Sequence, residues 1–208
     1  MNNSSTKILS IYNSRNNVLE ILSELKYDIN DYKAFNINEI DAMYNNNQLD
    51  MILNHNDGRK IFIKYYLKSK QMKKNDLDDI IEDLYQIENI LEKKDTLIII
   101  TEDEPNETIT AKVKYLFDQD NIFIVMHNIK RLQFNILKHT LVPTCSILNQ
   151  VDTENLKKTY NLKTLSQLPE ISRFDPQALA ICLRPGEVCK YERKSVTAMN
   201  TIYYRICV

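Results

Sequence analysis

The chain has 208 residues, 43% apolar and 26% charged, with 27 Lys+Arg against 28 Asp+Glu and a formal net charge of −1. That is enough apolar chain for a packed core in one large domain or two small ones. It excludes wholesale disorder and any global field that would draw the molecule to nucleic acid or an anionic membrane. Only two glycines and five prolines occur, which removes Gly-rich phosphate loops from consideration.

The polar start MNNSSTK lacks the apolar centre of a secretory signal. Ile8, Ile11, Tyr12, Val18, Leu19, Leu22 and Leu25 then recur at three- and four-residue steps, predicting a helix that stops near Tyr27 and Asp28. A shorter helix is expected over 37–44. Runs at 49–53 and 60–67 flank Asp57 and Gly58, a hairpin signal because glycine reaches the positive backbone angles of a tight turn. Residues 76–92 read as an amphipathic helix with Leu77, Ile80, Ile81, Leu84, Ile87 and Leu91 on one stripe. Asp76, Asp78 and Asp79 would lie in its first turn and Lys93 and Lys94 at its end, as the helix dipole favours. Residues 96–101 and 122–126 have the unbroken apolar character of buried strands and bracket a helix at 111–117, and a short helix is expected near 128–132. Hairpin, helix, strand, helix, strand is an α/β order with at least one parallel crossover.

After His139 the texture changes. Residues 141–208 hold nine Lys+Arg and six Asp+Glu, against 18 and 22 in the remainder. Helical periodicity survives only at 152–160. Pro185 and Gly186 start a turn, and 187–193 and 202–208 alternate as strands flanking ERKSVTAMNT, which predicts a hairpin with a broad connection in a small β-rich unit with one helix. A strand ending at the last residue has an uncovered edge, and unpaired N–H and C=O groups there are readily joined by another chain.

The chemistry-bearing residues are sparse. A metal-dependent nuclease would place one acid on the first hairpin strand and an acid-x-Lys on the second. Asp50 and Lys64 fit two of those positions, but position 62 is Phe62, and one carboxylate does not hold the metal. His55, His127 and His139 have no His or Cys partner at zinc-ligand spacing. Cys145, Cys182, Cys189 and Cys207 lie in apolar stretches and read as reduced, buried thiols. The stretch 60–74, KIFIKYYLKSKQMKK, reads as a strand with solvated lysines and a loop rather than a nucleic-acid face, since the next helix opens with three aspartates. The loop 102–110 precedes a helix N-terminus, yet Glu102, Asp103, Glu104 and Glu107 oppose a phosphate there. Lys112 and Lys114, one turn later, are the local argument for contact with DNA. The residues therefore predict no catalytic centre, no metal site, no cofactor and no membrane span.

Three punctuated segments stand in fixed order in the last third: LVPT at 141–144, SQLPEISRFDP at 166–176 and RPGEVCKYERKSVTAMNTIYYRICV at 184–208. They resemble the C-terminal assembly domain of a small subunit of multisubunit DNA-dependent RNA polymerases. That subunit is H in archaea and the fifth subunit, shared by the three nuclear polymerases, in eukaryotes. The resemblance implies an α/β jaw domain over 1–140, with a degenerate restriction-endonuclease-like fold, followed by a small α+β assembly domain over 141–208. It also implies a non-catalytic subunit that packs on the polymerase's largest subunit, beside other polymerase subunits, with its jaw near downstream DNA.

The framework residues carried over by motif are Leu141, Val142, Leu168, Ile171, Val188 and Lys190, together with a set implied at the interface with the largest subunit. That set is Pro143, Pro169, Asp175, Pro176, Gly186, Arg193, Ser195, Thr197, Tyr204 and Arg205. The chain departs from the family at Thr144 and Cys145, where a charged residue or His is usual, near 180–183, where an aromatic-Gly pair is usual, and at Met199, where Gly is usual. The small-residue loop before the jaw's DNA-proximal helix is also altered at 104–110. Abundant Asn, Ile and Lys suit an AT-rich genome, and with these departures they lean toward a large DNA virus, in its cytoplasmic factories and virions, over a nucleus. The competing readings are a metal-dependent nuclease and a standalone protein-interaction adaptor.

Overall fold

The computed structural model describes residues 3–69, 71–195 and 197–208. Met1 and Asn2 of the polar start, Lys70 of the 60–74 stretch and Val196 of the C-terminal connection lie outside the described residues. The chain forms two compact units, one through Asn135 and one over Ile136–Val208.

The first unit opens with α1 (Asn3–Glu24), whose periodic apolar residues Ile11, Val18, Leu19 and Leu22 are buried. The helix ends where Lys26 turns left-handed (φ 67°) and the Tyr27 N–H returns to the Leu22 carbonyl at 3.0 Å. In α2 (Ile37–Asn45) Asn36 accepts from the N–H groups of Asn38 and Glu39, and Glu39 answers the Asn36 N–H at 2.8 Å, a reciprocal cap. The strands β1 (Met51–Asn54) and β2 (Lys60–Tyr66) form the expected hairpin, with Gly58 at φ 84° in its turn. Then follow α3 (Lys74–Glu82), β3 (Thr96–Thr101), α4 (Glu107–Asp120) and β4 (Phe123–Asn128). The sheet runs β1-β2-β3-β4, with β2, β3 and β4 mutually parallel, so both α3 and α4 are crossovers.

Tyr65 and Tyr66, adjacent on β2, point to opposite faces. The Tyr65 hydroxyl meets Ser14 of α1 at 3.3 Å, and the Tyr66 hydroxyl donates to Asp76 of α3 at 2.7 Å. The sheet is thus covered on both sides, which is why every residue of β3 and β4 is buried.

The long helix expected over 76–92 is shorter. After Glu82 the chain widens into a π turn over Asp83–Ile87, and Asn89 then adopts φ 50°. A π turn inserts one residue and rotates later side chains by roughly 100°. Ile87 therefore leaves the apolar stripe and is 67% exposed, while Leu91 stays buried because the Leu91 N–H folds back to the Leu84 carbonyl. Lys93 and Lys94 consequently lie beyond the helix instead of capping its dipole, and of the three aspartates only Asp76 sits in the first turn.

The second unit contains β5 (Thr144–Ile147), α5 (Gln150–Thr159), β6 (Glu170–Ile171), α6 (Pro176–Ala180), β7 (Val188–Ser195) and β8 (Met199–Cys207), in a sheet ordered β5-β7-β8-β6. Three expectations change. A second helix, α6, is present. The β7–β8 hairpin pairs as far as Ser195 with Met199, so its connection is tight, not broad. The final edge is covered, because β6 runs parallel to the end of β8, with the Ile206 N–H donating to Pro169 and the Val208 N–H to Ile171. The open stretch of that edge lies further back, between Met199 and Arg205. Among the described residues no helix is long and apolar enough to cross a membrane.

Candidate functional site

The motif residues of the second unit divide by what they touch. Pro185 and Gly186 occupy the middle of a turn closed by the Glu187 N–H on the Arg184 carbonyl at 3.0 Å. The φ of 87° at Gly186 is the angle that a type II turn demands at its third position. The Gly186 N–H donates to the Cys207 carbonyl at 2.9 Å, which locks the start of β7 to the end of β8. Asp175 caps α6, accepting the Gln177 N–H at 2.9 Å, and Pro176 follows at the first helical position, where its missing N–H costs nothing. The Pro143 carbonyl accepts from Gln177 Nε2 at 2.7 Å, and the Pro169 carbonyl from Ile206. Pro143, Pro169, Asp175 and Gly186 thus each have a hydrogen-bond partner inside their own unit, and Pro176 starts a helix.

Arg193, Ser195, Thr197 and Arg205 lie on the β7–β8 hairpin, where the Ser195 hydroxyl accepts from the Thr197 and Ala198 N–H groups at 3.4 Å. The hairpin register sets Arg193 against Thr201, Tyr191 against Tyr203 and Cys189 against Arg205, all on one face of the sheet. Of these, Arg193, Thr201, Tyr203 and Arg205 line, together with Lys194, a groove of about 560 Å³ with Ser195 and Thr197 at its tip and Arg205 at its outer end. Beneath it the Tyr203 ring stacks on that of Tyr191 at 5.0 Å and 9°, and Tyr191 is 2% exposed. The Arg205 guanidinium lies 5.9 Å from the Tyr203 ring and donates to the Glu170 carbonyl at 3.2 Å. Tyr204 is not in this groove. It faces the other side of the sheet, edge-on to Tyr160 of α5 at 5.9 Å. The sequence reading missed Thr201 and Tyr203, whose only signal was their even spacing along β8 with Arg205.

The three cysteines Cys145, Cys189 and Cys207 project from the same face deeper in the unit, and all four cysteines are thiols outside any disulfide. Cys189 and Cys207 are buried, as expected, but Cys145 and Cys182 are half-buried. Burial pushes the Cys207 thiol up to about 12.

In the first unit, Asp50 and Lys64 meet in a cleft of about 530 Å³ whose walls include Tyr66, Asp76, Asp79 and Asp83. One Asp50 oxygen is held by Lys64 Nζ at 2.6 Å and the other by the Tyr65 N–H at 3.1 Å. Phe62 is buried, and among the described residues no group of three His, Cys, Asp or Glu side chains is gathered for a metal. At the other candidate position, Asn106 caps α4 through the Ile109 N–H at 2.9 Å, so the helix N-terminus already has its acceptor. The loop carboxylates are paired as well: Glu102 with Lys7, Asp103 with Lys130 at 3.2 Å, and Glu104 with Arg131 at 2.6 Å. Lys112 Nζ lies 2.8 Å from Asp78 with its side chain 19% exposed, whereas Lys114 is exposed on the same helix.

Residues 134–207 match the family described as RNA polymerase Rpb5, C-terminal domain, which defines the class to which the second unit belongs. Among individual proteins, the DNA-directed RNA polymerase subunit Rpo5 of Thermococcus kodakarensis is 43% identical over 76 residues, 36% of this chain and 92% of that protein. Rpo5 of Methanococcoides burtonii is 38% identical over 76 residues, 36% of this chain and 96% of that protein. Rpo5 of Archaeoglobus fulgidus is 36% identical over 77 residues, 37% of this chain and the whole of that protein. The chain belongs to this Rpb5/Rpo5 family of RNA polymerase subunits.

Proposed function

We propose that the chain is a non-catalytic structural subunit of a DNA-directed RNA polymerase, docked on the largest subunit through its second unit, with its first unit serving as a nuclease-like jaw beside downstream DNA. The match of residues 134–207 to the polymerase-subunit family carries this reading. The docking surface is the groove of the β7–β8 hairpin, with Arg193, which has no ion-pair partner among the described residues, at its mouth, Ser195 and Thr197 at its tip and Arg205 at its end. Support for a structural role comes from Asp50, whose two oxygens are held by Lys64 and Tyr65, in a cleft whose paired strand offers Phe62 where a nuclease needs a second acid. Lys112 and Lys114 are the candidates for the DNA-proximal face, Lys112 pairing with Asp78 and Lys114 exposed on the same helix. The working location is that of the parent polymerase, a nucleus or the cytoplasmic factories and virions of a large DNA virus, with the composition favouring the virus.

Affinity purification of the tagged full chain with mass spectrometry tests this directly. Polymerase large subunits are expected to dominate the recovered proteins, and their absence would overturn the reading in favour of a standalone adaptor. Incubation with duplex DNA and Mg²⁺ is expected to leave the DNA intact. Cutting that Asp50→Ala abolishes would establish the nuclease instead.

A further inference from the structure

The β7–β8 hairpin carries two unmet demands side by side. The first is electrostatic. Arg193 and Lys194 are exposed at the mouth of the groove, and among the described residues neither has an acidic partner, whereas Lys190 on the same strand is paired with Glu192 at 2.8 Å. Arg205, at the far end, contacts a backbone carbonyl and an aromatic ring but, among the described residues, no carboxylate. Thr201 and Tyr203 lie along the groove between the arginines, with Ser195 at its tip, and their hydroxyls can donate to an oxygen anion.

The second demand is in the backbone. In an antiparallel ladder the N–H and C=O groups of successive residues point alternately to the two neighbours. The Cys207 N–H goes to the Glu187 carbonyl, on the β7 side, and the Ile206 N–H goes outward to Pro169. The groups of Tyr204 and Ile202 therefore also point outward. The strand β6 pairs only at residues 206 and 207, so among the described residues nothing pairs with the outward groups of Ile202 and Tyr204.

We infer that this hairpin takes an extended acidic polypeptide segment, added as a strand along the open edge of β8 with carboxylates on alternate residues reaching Arg193 and Arg205. The inference deepens the docking reading above and rests on it for the identity of the chain that supplies the segment. Alternate spacing follows from the strand period: every second side chain of an added strand falls on the groove face, beside Thr201, Tyr203 and Arg205. A nucleic-acid phosphate would satisfy the arginines but has no backbone to pair with the edge, so the two demands together select a polypeptide. Charge complementarity would set register and speed of association as much as affinity.

The test uses the intact chain and a fluorescent octapeptide of alternating Glu and Thr, with an alternating Lys-Thr octapeptide and an oligothymidylate as controls. The acidic peptide is expected to bind at least about tenfold more tightly than the basic one, and less tightly as salt rises. Arg193→Glu, at an exposed site, should lower that affinity at least about tenfold. Ile202→Pro should do the same, because its lost N–H is one that faces outward, and thermal unfolding of both variants identifies any that fail to fold. Equal binding of the two peptides, or tighter binding of the oligothymidylate, overturns the inference. Recovery of polymerase subunits with no preference for the acidic peptide would sink the inference and leave the docking reading standing. Acidic-peptide binding without recovered polymerase subunits would do the reverse.

Discussion

Many charged groups in the first unit are turned toward one another, whereas Arg193 and Lys194 on the β7–β8 hairpin of the second unit are turned toward solvent. In the first, Asp50 is closed by Lys64, Lys112 by Asp78, Asp103 by Lys130 and Glu104 by Arg131, around strands buried on both faces. On the hairpin, Arg193 and Lys194 have no acidic partner among the described residues, and β8 is half uncovered. A self-paired surface offers a partner little net gain, because exchanging one exposed ion pair for another changes the free energy by only about 0–1 kcal/mol. A guanidinium without an acidic partner, such as that of Arg193, beside unpaired edge amides is the kind of group that gains when a second chain arrives.

Three substitutions sharpen this contrast. The largest effect is expected from Leu97→Ala, at a fully buried site at the centre of the first sheet. Its loss of packing should cost about 2–5 kcal/mol in chemical denaturation, and binding of the acidic peptide by folded protein should be unaffected. An intermediate effect attaches to Tyr65. Burial pushes its phenol up to about 12, whereas the unfolded residue ionises near 10. The native state therefore keeps this proton where the unfolded chain has lost it. The contribution is fully present below about pH 10 and is lost as pH climbs from about 10 to 12. Tyr65→Phe should flatten that part of the alkaline denaturation profile, by on the order of 1–3 kcal/mol across the window, and an unchanged slope would remove Tyr65 as its source. The smallest is Asp175→Ala. As the cap of α6 it should cost about 1 kcal/mol in urea unfolding while leaving recovery of partner proteins intact. Loss of recovery with unchanged stability would instead move Asp175 from framework to interface. Arg193→Glu is the converse case, with little change in stability and loss of docking.

Much of the first unit was legible because its signals are local. An Asp57-Gly58 turn between apolar runs forms a hairpin, and two unbroken apolar stretches separated by a helix form parallel buried strands. The end of α3 was not legible, since the left-handed turn at Asn89 depends on how the chain folds back onto Leu84. In the second unit, β5 was unreadable: its residues are mostly exposed, carry no alternation, and form a strand only because β7 offers a ladder to pair with. The helix α6 was missed for its five residues, although Asp175 and Pro176 were an available start signal.

The motif residues themselves were fixed by sequence, as were the chain's family and the places where proline, glycine and a capping aspartate bend or start the backbone, because those effects act within a few residues. Their placement was decided only by the tertiary structure. Gly186 and Pro169 find their partners on β8, some twenty to forty residues further along the chain, as long-range pairing requires. Arg193 and Arg205 become neighbours of one groove only when the hairpin register brings their strands together. Which backbone groups remain unpaired is likewise a property of the assembled sheet, because an edge exists only once every other strand has taken its place.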